Sequence, residues 1–337
     1  MRFGLILPHF GEHASRELLI DRAKEIEEMG FDSVWVRDHL IYTPHGMESP
    51  DRTFLEPLLT LAAVAGTTNR LRLGTAVLVP IRWPIKLAQN LATLDFLAPG
   101  RVVAGMGLGN TRMDFEATGL DDESREQIMS ETIEIARRLW TEDAVTHHGE
   151  AFAFEDVTLY PKPASPIPFV YGGTTRAAVR RAVSMMDGWI PGRIPLATLD
   201  ARLAYLRELA DEVGKKMMLG TIPLVIAHPD RDRAREGVEP EKLGVSSAGA
   251  KYWVKPPSGE FRTIEDLEGL LLAGDRDDIL GSVAKFADRG LDLVVLDLRL
   301  QFDRFWEQVE LLADWVLPEF DSEAVGSPGS EQPTGAG

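Results

Sequence analysis

An α/β fold, built as one (β/α)8 TIM barrel, is predicted by three features of this sequence. Short β-rich runs alternate eight times with amphipathic helical runs, the signature of parallel βα units. No break in composition divides these units across residues 1–320. The chain has 337 residues, enough for one large barrel or two ordinary domains, and the unbroken alternation favours the single barrel.

The first strand is read at 3–8. The helix after it buries Leu18, Leu19, Ala23, Ile26 and Met29, and Gly30 supplies its stop. Residues 33–36 form a second strand, followed by a long loop and a helix over 58–65. A third strand covers 71–79. Pro84 then stands at a first helical position, with Leu87, Leu91 and Leu94 on one face. The fourth strand is 101–106. Ser124 and Gln127 have capping-box spacing and open a helix with Ile128, Ile135 and Leu139. Short strands at 167–171 and 188–190 flank a helix through Ala177, Val179 and Val183. Strands at 219–227 and 291–298 complete the eight, and the last helix carries Phe305, Val309, Leu312 and Val316 up to Pro318.

Two segments stand outside the alternation. Residues 229–267 are polar and rich in Gly, Pro and charge, and read as a long insertion after strand 7, of a length that is usually functional or mobile. Residues 321–337 read as a disordered tail.

Composition narrows the function. The net charge is −17, which argues against a nucleic-acid partner, because neutralising phosphates needs clustered Lys and Arg. No apolar run approaches the ~20 residues that span a bilayer, so no membrane partner is expected. Cysteine is absent, which removes disulfides, thiolate nucleophiles, iron–sulfur ligation and cysteine zinc sites. The N-terminus passes straight into a strand without a cleavage site, so a cytoplasmic location is the expectation.

In a barrel of this type, chemistry sits at the carboxyl ends of the strands. No lysine ends a strand, so Schiff-base chemistry has no nucleophile there. No carboxylate or histidine cluster is spaced for a metal. Asp38 and His39 are the acid–base candidates, since histidine titrates near neutral pH and an adjacent carboxylate can orient its ring. The alternative is a histidine packed under the following loop.

Gly105, Gly107 and Gly109 follow the fourth strand without the spacing of a dinucleotide fingerprint. They suit either close approach of a flat ring or phosphate, or a simple tight turn. Gly172, Gly173 and Thr174 precede a helix whose N-terminus could hold a phosphate with help from Arg176, or they form a βα turn with Thr174 as cap. Tyr252 and Trp253, apolar rings in the polar insertion, suit a cover over a substrate or a dimer contact.

Several separated stretches of the chain have a common likeness. They include Arg2 to Leu5, Met29 to His39, Leu73 to Val77, Arg82 to Pro84, Ala92 to Asp95, Pro99 to Arg101, Gly105 to Gly109, Leu139 to Thr141, Pro161 to Pro163, Gly172 with Gly173, and Asp187 to Trp189. In their order and spacing they resemble the luciferase-like monooxygenase family, and most closely its branch using the deazaflavin coenzyme F420. The resemblance runs from residue 1 to about 195, with a weaker match near 267–298.

It implies a flavin-type ring across the barrel mouth, with Asp38 contacting the cofactor and His39 beside its reactive carbon. Ala76 and Val77 would back the ring, at a place where family members often have a non-proline cis peptide. Gly107 and Gly109 would line the cofactor site, and Gly172, Gly173 and Thr174 would hold its phosphate. The sugar-phosphate dehydrogenases of this branch carry a glutamate proton donor where Asn110 stands here, and a threonine where Val79 stands. Those departures imply a different, less polar substrate.

The expected function is therefore an F420-dependent oxidoreductase moving a hydride to or from a small organic molecule. The alternative is an FMN-dependent monooxygenase fed by a separate reductase, and a third reading is a non-catalytic flavin-binding protein. A homodimer is usual among similar proteins.

Overall fold

The computed structural model describes residues 1–44, 50–245 and 250–320; the tail expected at 321–337 lies outside the described residues. Its strands are β1 (Arg2–Ile6), β2 (Ser33–Val36), β3 (Arg72–Thr75), β4 (Val102–Met106), β5 (Val145–His148), β6 (Ala153–Val157), β7 (Phe169–Tyr171), β8 (Gly188–Trp189), β9 (Met218–Thr221), β10 (Leu224–Ala227), β11 (Leu271–Gly274) and β12 (Leu293–Leu296). Its helices are α1 (Ala23–Met29), α2 (Pro57–Ala65), α3 (Pro84–Leu97), α4 (Arg112–Thr118), α5 (Arg125–Thr141), α6 (Arg176–Met185), α7 (Leu196–Glu212), α8 (Arg231–Arg235), α9 (Pro240–Val245), α10 (Arg276–Ala287) and α11 (Phe305–Phe320).

β1, β2, β3, β4, β7, β8, β9 and β12 close a barrel, with β12 returning to β1. Every pair in it is parallel, and Leu5 stands beside both Leu296 and Val34. The barrel strands are Val-, Leu- and Phe-rich with nearly every residue buried, because helices cover their outer faces and side chains fill the inside. Each of the eight strands read from the sequence supplies one barrel stave.

Local signals set the helix ends. Gly30 closes α1 at φ 103°, a conformation that glycine adopts without a Cβ penalty. Pro57 and Pro84 occupy first turns of α2 and α3, where no N–H is required. Ser124 does not cap α5; its hydroxyl bonds Asp121, and a 3-10 turn over Asp122–Ser124 leads into the helix instead. Pro318 lies inside α11, which continues to Phe320.

Two features lie outside the barrel. β5 and β6 form an antiparallel hairpin latched onto α5 by Glu131. That buried carboxylate accepts from the backbone N–H groups of Glu150, Ala151 and Phe152, from Gln127 and from His147. Burial pushes its pKa up, but these donors outweigh it and hold the group at about 2.

The expected seventh strand at 219–227 divides in two. β9 joins the barrel, and after Pro223 the chain leaves it as β10, which pairs in parallel with β11. The segment between them is not a bare loop. It folds over a small core of its own that includes Leu224, Leu243, Trp253, Phe261, Leu267 and Leu271.

Candidate active site

The carboxyl ends of the barrel strands surround a cavity of about 410 Å³. Nine of the residues expected from the sequence line it: Asp38, His39, Ala76, Val77, Gly107, Gly109, Gly172, Gly173 and Thr174. Tyr171, Arg181, Arg193, Ile222, Asp297 and Arg299 line it as well.

The end of β2 carries the polar pair, and its neighbour strand holds it there. His9, just beyond β1, is fully buried; its Nδ1 lies 3.0 Å from Leu7 O and its Nε2 accepts the Arg37 N–H at 3.0 Å. Burial pushes its pKa down to about 4, so the ring stays neutral and can accept that bond. His9 is a fastening between strands, not a wall of the cavity.

Asp38 and His39, just beyond β2, turn to different partners. Asp38 is 3% exposed. Its Oδ1 accepts from Arg82 Nη2 at 2.9 Å and its Oδ2 accepts from the Val79 N–H at 3.0 Å. Arg82 also bonds Glu56 at 2.9 Å, and these carboxylates hold the guanidinium charged despite its burial. Asp38 therefore does not orient the neighbouring imidazole.

The carboxylate that faces the ring is one the sequence reading missed. Asp114 on α4, 1% exposed, sets Oδ2 3.7 Å from His39 Nδ1, and its Oδ1 accepts from the Ile41 N–H at 2.8 Å. On the other side of the ring, Arg37 Nη2 lies 3.4 Å from His39 Nε2. The rings of Tyr42 and Phe54 pack at 5.8 and 5.4 Å.

The middle of the cavity is apolar. The Ala76–Val77 peptide is cis, as the resemblance implies. The Val77 side chain lies against both glycine turns: a Cβ at Gly107 would come within 2.5 Å of one Val77 methyl, and one at Gly172 within 2.6 Å of the other. Gly109, at φ +72°, stands against Val79 in the same way. The valines that follow β3 thus leave no room for a side chain at these positions, whether or not a ligand also approaches them. At Gly173 a Cβ would meet Ala178 and Tyr171 at 2.7 Å.

The cavity is also lined by the turn at the start of α6, which could hold an anion. The helix cap is Thr175, not Thr174; its hydroxyl accepts the Ala178 N–H at 3.0 Å. Trp189 Nε1 donates to Gly173 O at 2.8 Å, and Arg202 Nε donates to Thr174 O at 3.1 Å. A trans peptide points its C=O and N–H in opposite directions. These two bonds therefore turn the N–H groups of Thr174 and Thr175 away from Trp189 and Arg202. The N-terminal end of the helix dipole adds to their positive potential.

The cationic partner differs from the expected one. Arg176 stacks over Tyr205 at 3.8 Å and does not line the cavity, whereas Arg181 does. Five residues turn a helix by roughly 140° beyond a full turn, so the two arginines project from different faces. The Arg181 guanidinium pairs with Glu126, and its buried Nε has no protein partner. N–H groups at a helix N-terminus, an arginine with an open donor and apolar lining residues fit a flat ring joined to a phosphate.

The aromatic pair of the insertion is not part of this wall. Trp253 is buried in the insertion's own core, edge-on to Phe261 at 5.7 Å. Tyr252 leaves its ring exposed beneath the Lys251 ammonium and gives its carbonyl to Arg202 at 2.8 Å. Among the described residues, no helix is long and apolar enough to cross a membrane, and no group of three or more His, Asp or Glu side chains could hold a metal.

Comparison with known proteins agrees with this geometry. The family model for luciferase-like monooxygenases matches residues 1–293. A protein of Nakamurella multipartita named F420-dependent glucose-6-phosphate dehydrogenase is 36% identical over 239 residues, covering 67% of this chain and 69% of that one. A Microbacterium testaceum protein of the same name is 32% identical over 307 residues, covering 83% and 88%. The solved structure of an F420-dependent secondary alcohol dehydrogenase, in complex with an F420-acetone adduct, superposes with a TM-score of 0.76. It is 21% identical and covers 94% of this chain and 98% of its own. With the family model matching most of its length, the chain belongs to the luciferase-like monooxygenase family.

Proposed function

We propose that this protein is an F420-dependent oxidoreductase acting on a small organic alcohol or carbonyl compound, with His39 as its acid–base residue. One observation carries the proposal: a single cavity joins an anion cradle at the α6 N-terminus, across an apolar middle, to an imidazole bracketed by Asp114 and Arg37. The names of the relatives supply the choice of deazaflavin.

In this reading the N–H groups of Thr174 and Thr175 and the Arg181 guanidinium hold the cofactor phosphate. Ala76, Val77, Gly107 and Ile222 give the ring a dry floor, and Asp38, braced by Arg82, keeps the β2 end in place beside it. When bound, the deazaflavin supplies the two-electron hydride chemistry, which no side chain of this protein can perform. His39 takes the proton from a substrate hydroxyl during oxidation, or returns it to a carbonyl oxygen in the reverse direction.

Val79 and Asn110 shape the wall nearest the substrate, and neither carries a charge for an ionic substrate group. A compact secondary alcohol suits them better than a sugar phosphate. The check is anaerobic turnover of oxidised deazaflavin with a panel of alcohols and sugar phosphates, followed by loss of the oxidised absorbance. Reduction by small alcohols is expected, with slower or absent reduction by glucose 6-phosphate. Reduction by the sugar phosphate alone would overturn the substrate class.

A further inference from the structure

We infer that Asp114 is a positioning residue that fixes His39 in its Nδ1–H tautomer, leaving Nε2 as the one ring atom able to accept the substrate proton. The inference rests on the function proposed above. It follows from what stands on either side of the ring.

A carboxylate presents only lone pairs, so the nitrogen facing Asp114 must carry the hydrogen. A guanidinium presents only hydrogens, so the nitrogen facing Arg37 must carry the lone pair. The Arg37 contact at 3.4 Å gives Nε2 the lone pair, and Asp114 Oδ2, 3.7 Å from Nδ1, is the carboxylate that the hydrogen on Nδ1 then faces. The rings of Tyr42 and Phe54 pack against the imidazole.

Asp114 is itself held for this task. The Ile41 N–H occupies Oδ1 and leaves Oδ2 for the imidazole. The carboxylate also sits in the first turn of α4, where the helix dipole favours negative charge. A separation of 3.7 Å is an ion-pair distance, and catalytic hydrogen bonds that are long without ligand commonly tighten when the site fills.

The consequence is a defined proton route. As the substrate O–H bond breaks, an N–H bond forms at Nε2 and Arg37 yields its place to the substrate oxygen. A bound oxidised deazaflavin would be the oxidant that takes up the substrate's hydride and so balances the step. The positive charge gained by the ring then faces the Asp114 carboxylate, which stabilises it as a buried carboxylate does in a catalytic triad.

Asp114→Asn tests this sharply. The Ile41 N–H will keep the amide oxygen on its side, so the amide nitrogen replaces Oδ2 and donates toward Nδ1. That demands the opposite tautomer, with hydrogen on Nε2. Nitrogen-15 NMR of the apoprotein imidazoles, assigned by the signal lost in His39→Gln, reads the tautomer without cofactor or turnover. The expected result is Nδ1–H in the wild type and Nε2–H in Asp114→Asn. Where turnover is measured, kcat should fall ~10²–10⁴-fold, with deazaflavin affinity changed less than about two-fold, and Asp114→Glu should recover Nδ1–H and part of the rate.

An Nε2–H ring in the wild type, or the same tautomer in wild type and Asp114→Asn, would overturn the inference. The wild-type spectrum decides even if the variant does not fold. Failure of the wild type to bind deazaflavin would instead overturn the proposed function while leaving the tautomer result intact.

Discussion

Replacing His39 by Ala is expected to lower kcat by ~10²–10⁴-fold, the usual worth of a positioned acid–base group, while cofactor affinity stays within a few-fold. The two effects separate because the groups stand on different elements. The phosphate site proposed here is formed by Thr174, Thr175 and Arg181, at the start of α6, whereas His39 follows β2. A loss of that size corresponds to roughly 3–5 kcal/mol of transition-state stabilisation.

Alanine would also leave the Asp114 carboxylate facing an empty space, which costs stability of its own. His39→Gln, which keeps polar atoms opposite Asp114, controls for that. Equal loss of rate in both variants, with thermal stability preserved in the second, would assign the loss to proton transfer. Unchanged turnover in His39→Gln would remove the residue from the chemistry.

The second large effect falls on binding. Arg181→Met is expected to weaken deazaflavin affinity by about one to two orders of magnitude, because a charge-assisted hydrogen bond to a phosphate is worth ~1.5–3 kcal/mol. The methionine keeps the buried stem, so α6 should pack as before. At saturating cofactor the rate should recover. Arg176→Met is the matched control: that side chain stacks on Tyr205 outside the cavity, and its loss should leave affinity within about two-fold. The reverse pattern, with Arg176 mattering and Arg181 silent, would move the phosphate off this cradle.

The difference between these two arginines illustrates what the sequence could and could not reveal. All eight barrel strands were legible, because a run buried on both faces is continuously apolar and needs no partner to identify it. The strand ends were legible for the same reason, and with them came Asp38, His39 and the two glycine turns. Choosing Arg181 over Arg176 required knowing which face of α6 meets the barrel mouth, and both lie in a helix with several arginines.

Asp114 was illegible because it acts from a helix after the fourth strand, 75 positions beyond the histidine it faces. The chain-adjacent carboxylate, Asp38, was the natural candidate and turns to Arg82 instead. The β5–β6 hairpin escaped notice because its strands are short and polar, with alternating burial along Val145–His148, and are anchored by Glu131 instead of by an apolar run. The insertion read as loop because its core draws on residues scattered from Leu224 to Ala273, no stretch of which is periodic by itself.

The glycines carry a related lesson. At Gly107 and Gly172 the sequence left a ligand's approach and a simple turn both open, and the Val77 side chain is one neighbour that presses close to each. A glycine in a sequence marks close approach without saying what approaches. Here the β3 end is pressed between two turns, and the cavity floor is built by that packing.

The central claim, that this cavity holds a deazaflavin, is tested most directly by titrating the purified apoprotein with coenzyme F420 and with FMN, each oxidised and reduced, by absorbance and fluorescence. The account predicts saturable binding of F420 with clearly weaker binding of either form of FMN. A preference for reduced FMN, or saturation by neither cofactor, would contradict it.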